Sequence, residues 1–263
     1  MSTILDKIVL HKQKEVLAKK ASTSIAELEK QPAFTRACSS LRTAVLDPQK
    51  TGIIAEFKRK SPSKDIINNK VKVDQVTRAY TQNGASGLSV LTDHHFFGGS
   101  PEDLQTTRKT NAIPILRKDF IVDEYQIIET KAMGADVLLL IAECLTRQSI
   151  RSFTELAQSL GLEVLLELHA PSQLDKIGAD NNIIGINNRD LTTFEVDIDR
   201  SIELAHQLPK DALKIAESGI NDPQVVLKMK KAGFHGFLMG EHFMKEQDPG
   251  NAFRKFAQAI VRQ

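Results

Sequence analysis

The stretch that decides the fold is IIAEFKRKSPS, which spans residues 53–63. Its first half is a short apolar run of the kind that forms a strand buried on both faces. The run ends in Glu56 and Lys58, and side chains two residues apart in a strand point the same way. Keeping a carboxylate and an ammonium group together beside a buried strand is costly without a task, so this strand end is a candidate catalytic rim.

Similar apolar runs recur along the whole chain. The eight predicted strands span residues 52–58, 87–92, 113–119, 136–142, 162–168, 183–187, 214–219 and 236–240. Helical patterns lie between them, and several end in a glycine such as Gly84, Gly134, Gly161 or Gly233. Eight strand–helix units predict a closed (β/α)8 barrel rather than an open doubly wound sheet, which usually has fewer strands and a Gly-rich first turn.

The chain of 263 residues can bury a full core without dividing into two domains. We expect residues 1–263 to form one barrel domain, with residues 1–50 as an N-terminal helical extension. An apolar pattern from Ile4 to Lys19 predicts a helix that lies outside the strand–helix repeat. Two positions stay open for this helix, because it could close the bottom of the barrel or cover its top.

Composition excludes several classes of function. The net charge is only +2 and no basic block occurs, which argues against a nucleic-acid partner. No apolar run is long enough to span a bilayer, so we expect no membrane association. Cys38 and Cys144 lack metal-ligand spacing and the seven histidines are scattered, so we expect neither disulfide nor metal. These features favour a cytoplasmic protein, and we expect a monomer or a weak homo-oligomer.

Polar residues collect where the predicted strands end, and in this fold the chemistry lies at the C-terminal ends of the strands. The candidates are Glu56, Lys58, Lys118, Asp119, Glu167, Asn187, Asn188, Arg189, Asp190, Glu217, Ser218 and Gly219. Two lysines, Lys58 and Lys118, would face three glutamates within one barrel mouth. Such neighbours can keep a lysine protonated as an acid and a glutamate ionised as a base, so the pattern predicts acid–base catalysis.

Glycines near the ends of the last two strands point to the substrate. Gly219 and Gly240 occupy the loops that often bind phosphate in such barrels, which predicts a phosphate ester. Asn187 and Arg189 could bind a carboxylate or a hydroxylated chain, although Arg189 could equally pair with Asp190. Phe96 and Phe97 could form an apolar wall for an aromatic substrate, or one of them could pack in the core.

Together these residues resemble the indole-3-glycerol phosphate synthase family of tryptophan biosynthesis, over essentially the whole chain. The resemblance is carried by residues 4–8, 53–63, 88–100, 116–126, 185–195, 216–220 and 238–244. It implies a cofactor-independent enzyme that converts 1-(2-carboxyphenylamino)-1-deoxyribulose 5-phosphate to indole-3-glycerol phosphate, with loss of carbon dioxide and water. The sequence departs from the family at Asp65, where many members have glycine, and at the His94-His95 pair.

The resemblance also implies roles for individual residues. Lys118 would be the general acid at the substrate carbonyl, Glu56 and Lys58 would place substrate and transfer protons, and Glu167 would assist dehydration. Further positions match the family's supporting or substrate-binding residues, namely Asn187, Ser218, Ser61, Phe97, Arg189 and Glu217. Gly219, Gly240 and Glu241 fall in its phosphate loops.

Two other functions compete with this interpretation. A lysine at a strand end in a phosphate-binding barrel can also form an imine, as in a Schiff-base aldolase acting on a phosphorylated sugar. A non-catalytic binding barrel would lack the acid–base residues, but this sequence has them.

Overall fold

Eight parallel strands close into a barrel in the computed structural model, which describes residues 3–62, 64–190, 193 and 195–261. The strands are β1 (Ile53–Phe57), β2 (Gly87–Leu91), β3 (Ile115–Lys118), β4 (Val137–Ile141), β5 (Glu163–Leu168), β6 (Ile183–Asn187), β7 (Leu213–Glu217) and β8 (Gly236–Met239). Each strand pairs with the next along the chain, and β8 pairs with β1. The predicted (β/α)8 barrel is confirmed, and the strand boundaries differ only slightly from those predicted.

Helices surround the barrel and alternate with its strands. They are α4 (Val73–Gln82), α5 (Pro101–Thr110), α6 (Glu124–Met133), α7 (Arg147–Ser159), α8 (Ile198–Ala205), α9 (Pro223–Lys231), α10 (Glu241–Met244) and α11 (Pro249–Val261), with a 3₁₀ helix at Pro171–Lys176. The predicted helix-ending glycines, Gly84, Gly134, Gly161 and Gly233, all have positive φ. Within the described residues, no helix combines the length and the apolar character needed to cross a membrane.

Three helices precede the barrel: α1 (Ile4–Ser22), α2 (Ile25–Glu29) and α3 (Leu41–Leu46). Helix α3 closes the bottom, because its Leu41 and Val45 are buried in the same cluster as residues of the barrel interior. Glycine in β2 makes room for it, since a Cβ at Gly87 would lie 2.7 Å from Cδ1 of Leu41. The bottom of the barrel is therefore occupied by α3.

Helix α1 lies at the opposite end and covers the top. Its residues Ile4, Leu5 and Ile8 line the cavity at the C-terminal ends of the strands. At the far end of α1, Lys20 pairs with Asp123 at 2.7 Å, which ties the helix to the start of α6. The sequence left open whether this helix closes the bottom of the barrel or covers its top, and in the structure it covers the top.

A short antiparallel hairpin follows β1 and was not expected from the sequence. Lys60–Ser61 pairs with Lys64–Ile66, which contains Asp65, while Ser63 between them lies outside the described residues. Arg59 anchors the base of this hairpin, because its Nη2 donates to Oδ1 of Asp103 at 2.9 Å. The hairpin places Ser61 against the barrel mouth.

Candidate active site

One cavity of about 430 Å³ opens at the C-terminal ends of the strands. Thirteen of the residues predicted for the site lie on its wall: Glu56, Lys58, Ser61, Phe97, Lys118, Glu167, Asn187, Arg189, Glu217, Ser218, Gly219, Gly240 and Glu241. Of the other candidates, Asp119 also lines the cavity, while Asn188, Asp190 and Phe96 do not. The thirteen come from seven of the eight strands or from the loops that follow those strands. The fold therefore brings together side chains that are far apart in sequence.

Lys118, the last residue of β3, reaches into a group of carboxylates. Its Nζ donates to Oε2 of Glu167 at 2.9 Å and lies 3.4 Å from Oε2 of Glu217. Burial opposes the positive charge, but the charges of Glu167, Glu217 and Glu56 outweigh it and raise the pKa of Lys118. The lysine is consequently a protonated ammonium group across the physiological pH range.

Glu167, on β5, is held ionised by the groups around it. Its Oε1 accepts from Nδ2 of Asn187 at 3.0 Å and lies 3.0 Å from Nε2 of His169. Burial disfavours the carboxylate, yet Lys118 and these neighbours outweigh burial and lower the pKa of Glu167 well below its ordinary value. A buried carboxylate held in this way can accept a proton from a substrate positioned beside it.

Glu217, on β7, differs from Glu167 although the two lie in the same cluster. Burial and then the charge of Glu167 raise the pKa of Glu217 to about 8, so it is mostly neutral at pH 7. Its Oε1 is buried and lacks a hydrogen-bond partner among the described residues. A Cβ at Gly185 would lie 2.1 Å from that oxygen, so the glycine in β6 makes the space that this carboxyl group occupies.

Glu56 and Lys58 form the pair that the alternation of β1 predicts. Nζ of Lys58 lies 2.8 Å from Oε1 of Glu56, and the Glu56 side chain is almost completely buried while Lys58 is partly accessible. Oε2 of Glu56 accepts from the hydroxyl of Ser89 at 3.3 Å on the neighbouring strand. The carboxylate is thus fixed from two sides, and the ammonium group is presented to the cavity.

Asn187 at the end of β6 and Arg189 in the loop that follows make different contacts. Asn187 is oriented by its own loop, because its Oδ1 accepts from the backbone N–H of Arg189 at 3.0 Å. The guanidinium of Arg189 lies 3.8 Å from Oε2 of Glu241, while Asp190 lies 3.5 Å from Arg200. Arg189 therefore faces the cavity wall formed by Glu241.

The backbone at the end of β7 turns sharply. Ser218 has φ of +68°, which is uncommon for a residue with a side chain, and Gly219 follows with φ of +70°. A Cβ at Gly219 would lie 2.3 Å from Cγ1 of Val196. Only glycine fits there, and its lack of a side chain leaves the main chain close to the cavity.

Gly240 makes a different contact from the one expected of a simple phosphate loop. A Cβ at this position would lie 2.7 Å from Cβ of Glu56 and 2.9 Å from its Oε1. Any larger residue at position 240 would therefore displace the Glu56–Lys58 pair as well as crowding the loop. A bulky substitution of Gly240 is not a selective test of phosphate binding.

The apolar part of the wall comes from α1 and from the loop after β2. Phe97 lines the cavity and its ring lies 5.9 Å from that of Phe120. Phe96 instead packs against His95 and against His11 of α1. Of the two phenylalanines, Phe97 is thus the one that faces the cavity.

Several residues of the cavity were not singled out from the sequence. They are Ile4, Leu5 and Ile8 of α1, Phe120, Asn221, His242 and Lys245, and His169 lies beside Glu167. The position of His169 two residues after Glu167 in the chain could have revealed it, because alternation places both on one face. No group of three or more His, Cys, Asp or Glu side chains suited to a metal ion occurs within the described residues.

Sequence comparison identifies relatives over almost the full chain. The family model described as indole-3-glycerol phosphate synthase matches residues 5–256. A protein of that description from Bacteroides thetaiotaomicron is 46% identical over 260 residues, which cover 99% of this chain and 100% of the relative. Another from Paracidovorax citrulli is 41% identical and covers 97% of this chain and 99% of the relative.

Solved structures with similar folds are more distant in sequence. The alpha subunit of tryptophan synthase from Legionella pneumophila has a TM-score of 0.63 at 13% identity, covering 86% of this chain and 100% of that one. Thiamine phosphate pyrophosphorylase from Pyrococcus furiosus has a TM-score of 0.59 at 15% identity, covering 80% and 95%. At these identities the likeness concerns the fold alone.

Proposed function

Since the chain belongs to the indole-3-glycerol phosphate synthase family, we propose how its cavity carries out that reaction. The enzyme is a carboxy-lyase of tryptophan biosynthesis. It closes the ring of 1-(2-carboxyphenylamino)-1-deoxyribulose 5-phosphate, with loss of carbon dioxide and water, to give indole-3-glycerol phosphate. The assignment of individual residues to individual steps is our proposal.

Ring closure is assigned to Lys118. The aromatic carbon that bears the carboxylate attacks the ketone of the sugar chain, and the ketone oxygen gains negative charge as the new carbon–carbon bond forms. An ammonium group beside that oxygen stabilises the charge and supplies the proton. The observation that most directly supports this assignment is the position of Lys118 Nζ, 2.9 Å from Glu167 and 3.4 Å from Glu217.

Decarboxylation follows from the product of ring closure. The ring that attacked the ketone has lost its aromaticity, so loss of carbon dioxide returns the bonding electrons to the ring and needs no further base. Until it is lost, the substrate carboxylate lies among the acidic side chains of the cavity, and a neutral neighbour repels it less than an additional carboxylate would. Glu217, whose pKa is raised to about 8 by burial and by Glu167, fits that requirement at neutral pH.

Dehydration is assigned to Glu167 together with the ammonium groups. The carboxylate of Glu167 removes a proton from the carbon beside the ring nitrogen, while the former ketone oxygen leaves as water after gaining a second proton. Asn187 and His169 orient Glu167 for this task through contacts of 3.0 Å. Lys58, paired with Glu56 at 2.8 Å, places the substrate and takes part in proton transfer.

The two ends of the substrate are assigned to two parts of the wall. The phosphate binds near Gly219, Gly240 and Glu241, where backbone N–H groups and the side chain of Lys245 are close by. The aromatic ring lies against Phe97 and against α1, which supplies aliphatic side chains. Ser61, Arg189 and Ser218 complete the polar contacts between these ends.

The electrostatics argue against the aldolase alternative. Formation of an imine requires a neutral amine, but the carboxylates around Lys118 overcome its burial and raise its pKa. Borohydride treatment in the presence of substrate tests this point directly. We expect no covalent adduct on Lys118 or Lys58, and an adduct on either would favour the aldolase.

We also propose a cytoplasmic enzyme that acts on a small phosphorylated substrate, without nucleic acid, and as a monomer or a weak homo-oligomer. The two free cysteines, Cys38 and Cys144, are compatible with a reducing compartment. Gel filtration with light scattering would test the oligomeric state.

The decisive experiment is incubation with the carboxyphenylamino ribulose phosphate while indole fluorescence is recorded. The chain has no tryptophan and two tyrosines, so the indole product is observed against a low protein background. We expect fluorescence to appear without added cofactor, together with release of one carbon dioxide per product molecule. No product from the folded wild-type enzyme would contradict the assignment.

A further inference from the structure

The helix that covers the cavity carries one fully buried cation. In α1, the buried side chains are Leu5, Ile8, Lys12 and Val16, so Lys12 occupies a position in an otherwise apolar stripe. Its side chain is 1% exposed. A lysine held this far from water needs partners that offset its desolvation.

Three carboxylates supply those partners. Nζ of Lys12 lies 2.9 Å from Oε2 of Glu15 in the same helix, 2.9 Å from Oδ2 of Asp93 and 3.0 Å from Oδ1 of Asp119. Asp93 and Asp119 are themselves buried and belong to the loop after β2 and the end of β3. Burial disfavours the ammonium form, but Asp119 and Asp93 outweigh it and raise the pKa of Lys12.

Asp93 transmits this contact to the apolar wall of the cavity. Its Oδ1 accepts from the backbone N–H groups of Phe96 and Phe97, at 2.7 Å and 3.1 Å. Its Oδ2 lies 2.9 Å from the ammonium of Lys12, which is the group that balances its charge. The loop that presents Phe97 is therefore held against α1 through one carboxylate.

Asp119 transmits the contact to the catalytic lysine, because it directly follows Lys118. Its Oδ2 accepts from the hydroxyl of Thr92 at 2.6 Å and pairs with Arg117 at 3.1 Å, and both partners are buried. Burial raises the pKa of Asp119, but the positive charges of Arg117 and Lys12 outweigh burial and lower it to about 2. The carboxylate therefore remains charged. The backbone that carries Lys118 is thus fixed on the side facing α1.

We propose that Lys12 is a positioning residue that aligns three parts of the cavity wall: helix α1, the Phe97 loop and the strand end that carries Lys118. This inference rests on the proposed function, in which α1 and Phe97 contact the aromatic ring and Lys118 is the acid in ring closure. Lys12 does not line the cavity and acts only through Asp93 and Asp119. Loss of its charge should displace both the binding surface for the aromatic ring and the acid used in ring closure.

The test compares Lys12→Met with Lys19→Met in the full-length enzyme. Lys19 lies on the same helix and pairs with Glu15 and Glu129, at 3.2 Å and 3.1 Å, and the same substitution there leaves Asp93 and Asp119 paired. A displacement of about 1 Å in a catalytic arrangement can cost on the order of 100-fold in rate. We expect kcat/KM of Lys12→Met to fall about 10- to 100-fold, with kcat lowered and KM raised, and that of Lys19→Met to change less than about twofold.

A second variant separates positioning from an uncompensated charge. Lys12→Met combined with Asp93→Asn removes the ammonium and one facing carboxylate together, and the amide oxygen can still accept from Phe96 and Phe97. We expect the double variant to fold better than Lys12→Met and to retain the loss of kcat. Recovery of wild-type kcat in the double variant would overturn the proposal, as would an equal loss in Lys19→Met.

Steady-state parameters measured well below the unfolding temperature complete the test. Wild-type kcat and KM in Lys12→Met, with only a lower unfolding temperature, would reduce Lys12 to a structural residue. A rise in KM alone would limit it to a tether for α1 and contradict its role at Lys118. If the wild-type enzyme formed no indole product, the proposed function would fail, and that outcome is distinct from both.

Discussion

The two ends of the barrel use buried carboxylates in opposite ways. At the bottom, Asp136 accepts from the backbone N–H groups of Ser39 and Ile115 at 2.7 Å and 2.8 Å, and pairs with Arg36 and Arg108 at 2.6 Å and 2.7 Å. Every lone-pair direction of that group is used by fixed protein donors. Such a carboxylate has no remaining capacity for a substrate and contributes to stability.

At the top, the carboxylates can still bind a further hydrogen-bond donor. Glu167 and Glu217 share Lys118, and Glu217 keeps an oxygen without a hydrogen-bond partner among the described residues. Their pKa values are shifted in opposite directions, because Lys118 stabilises the charge of Glu167 while burial and Glu167 disfavour that of Glu217. The difference between a structural carboxylate and a chemical one thus lies in how completely the protein satisfies it.

The largest effect is expected from Lys118→Met, which removes the charge and keeps the apolar stem. Loss of a general acid typically costs about 10²- to 10⁴-fold in kcat, and more when charge stabilisation is lost as well. The protein should remain folded, since the facing glutamates can take up protons. The measurement is kcat from indole fluorescence, with circular dichroism to verify folding.

Lys214→Met is the matched control for Lys118→Met. Lys214 also lies on a barrel strand, but its Nζ donates to the carbonyl of Ala205 at 2.8 Å and it does not line the cavity. We expect its kcat to stay within about twofold of wild type, as is usual when no catalytic contact is lost. Near wild-type kcat in Lys118→Met would show that the carbonyl acid is a different group.

The second effect concerns Glu167→Gln, which preserves the shape of the side chain while removing the proposed base. We expect kcat to fall about 100-fold with KM nearly unchanged, because the lost interaction belongs to a proton transfer and not to substrate binding. Steady-state kinetics separate the two parameters. A sharp rise in KM with kcat preserved would assign Glu167 to binding.

Asp136→Asn tests the bottom of the barrel and should affect stability rather than activity. The amide leaves the guanidinium groups of Arg36 and Arg108 without a countercharge, which should cost about 2–3 kcal/mol of unfolding free energy. Urea denaturation measures that loss. Activity per folded molecule should be that of wild type, and a specific loss of kcat would contradict the division between the two ends.

The smallest effect is expected from Glu217→Gln and is seen in the pH dependence. The pKa of Glu217 is raised from 4.5 to about 8, so its contribution to stability is full below about pH 4.5 and is lost as the pH rises through about 8. The glutamine variant stays neutral, so its kcat at pH 7 should lie within a few-fold of wild type. The unfolding free energy of Glu217→Gln should therefore lack the decrease that wild type shows as the pH rises toward 8.

A comparison of unfolding free energies at pH 6 and pH 9 measures this difference. Wild type should lose stability relative to Glu217→Gln between these values. The opposite contribution of Glu167, whose pKa is lowered, is common to both proteins at these pH values and does not alter the sign. Parallel behaviour of the two proteins would mean that Glu217 ionises normally.

Much of this molecule could be predicted from local sequence patterns. The strands were recognisable because continuous apolar runs bounded by helix-ending glycines have few alternatives. The pairing of Glu56 with Lys58 followed from strand alternation alone. Roles of single residues came from the resemblance to a family and stay predictions.

Other features depended on contacts between distant segments and could not be predicted in this way. The position of α1 over the top involves the pairing of Lys12 with Asp93 and Asp119, which a helical pattern cannot identify. Lys12 was a usable signal, because a lysine interrupted the apolar stripe formed by Ile8 and Val16. The reason for glycine at position 185 could not be predicted either, because it depends on the Glu217 carboxyl group on the neighbouring strand, which fills the space beside it.

The covering helix has a consequence for how the enzyme is made. Lys20 of α1 binds Asp123, 103 residues later in the chain, and Thr23 just beyond the helix accepts from Tyr125, 102 residues later. When α1 leaves the ribosome, the strands and loops that it will cover have not yet been synthesised. Contacts of such long range add loop-closure cost and slow folding. Until these contacts form, the apolar side of α1 remains exposed to water or to chaperones, and the cavity of the nascent barrel is uncovered.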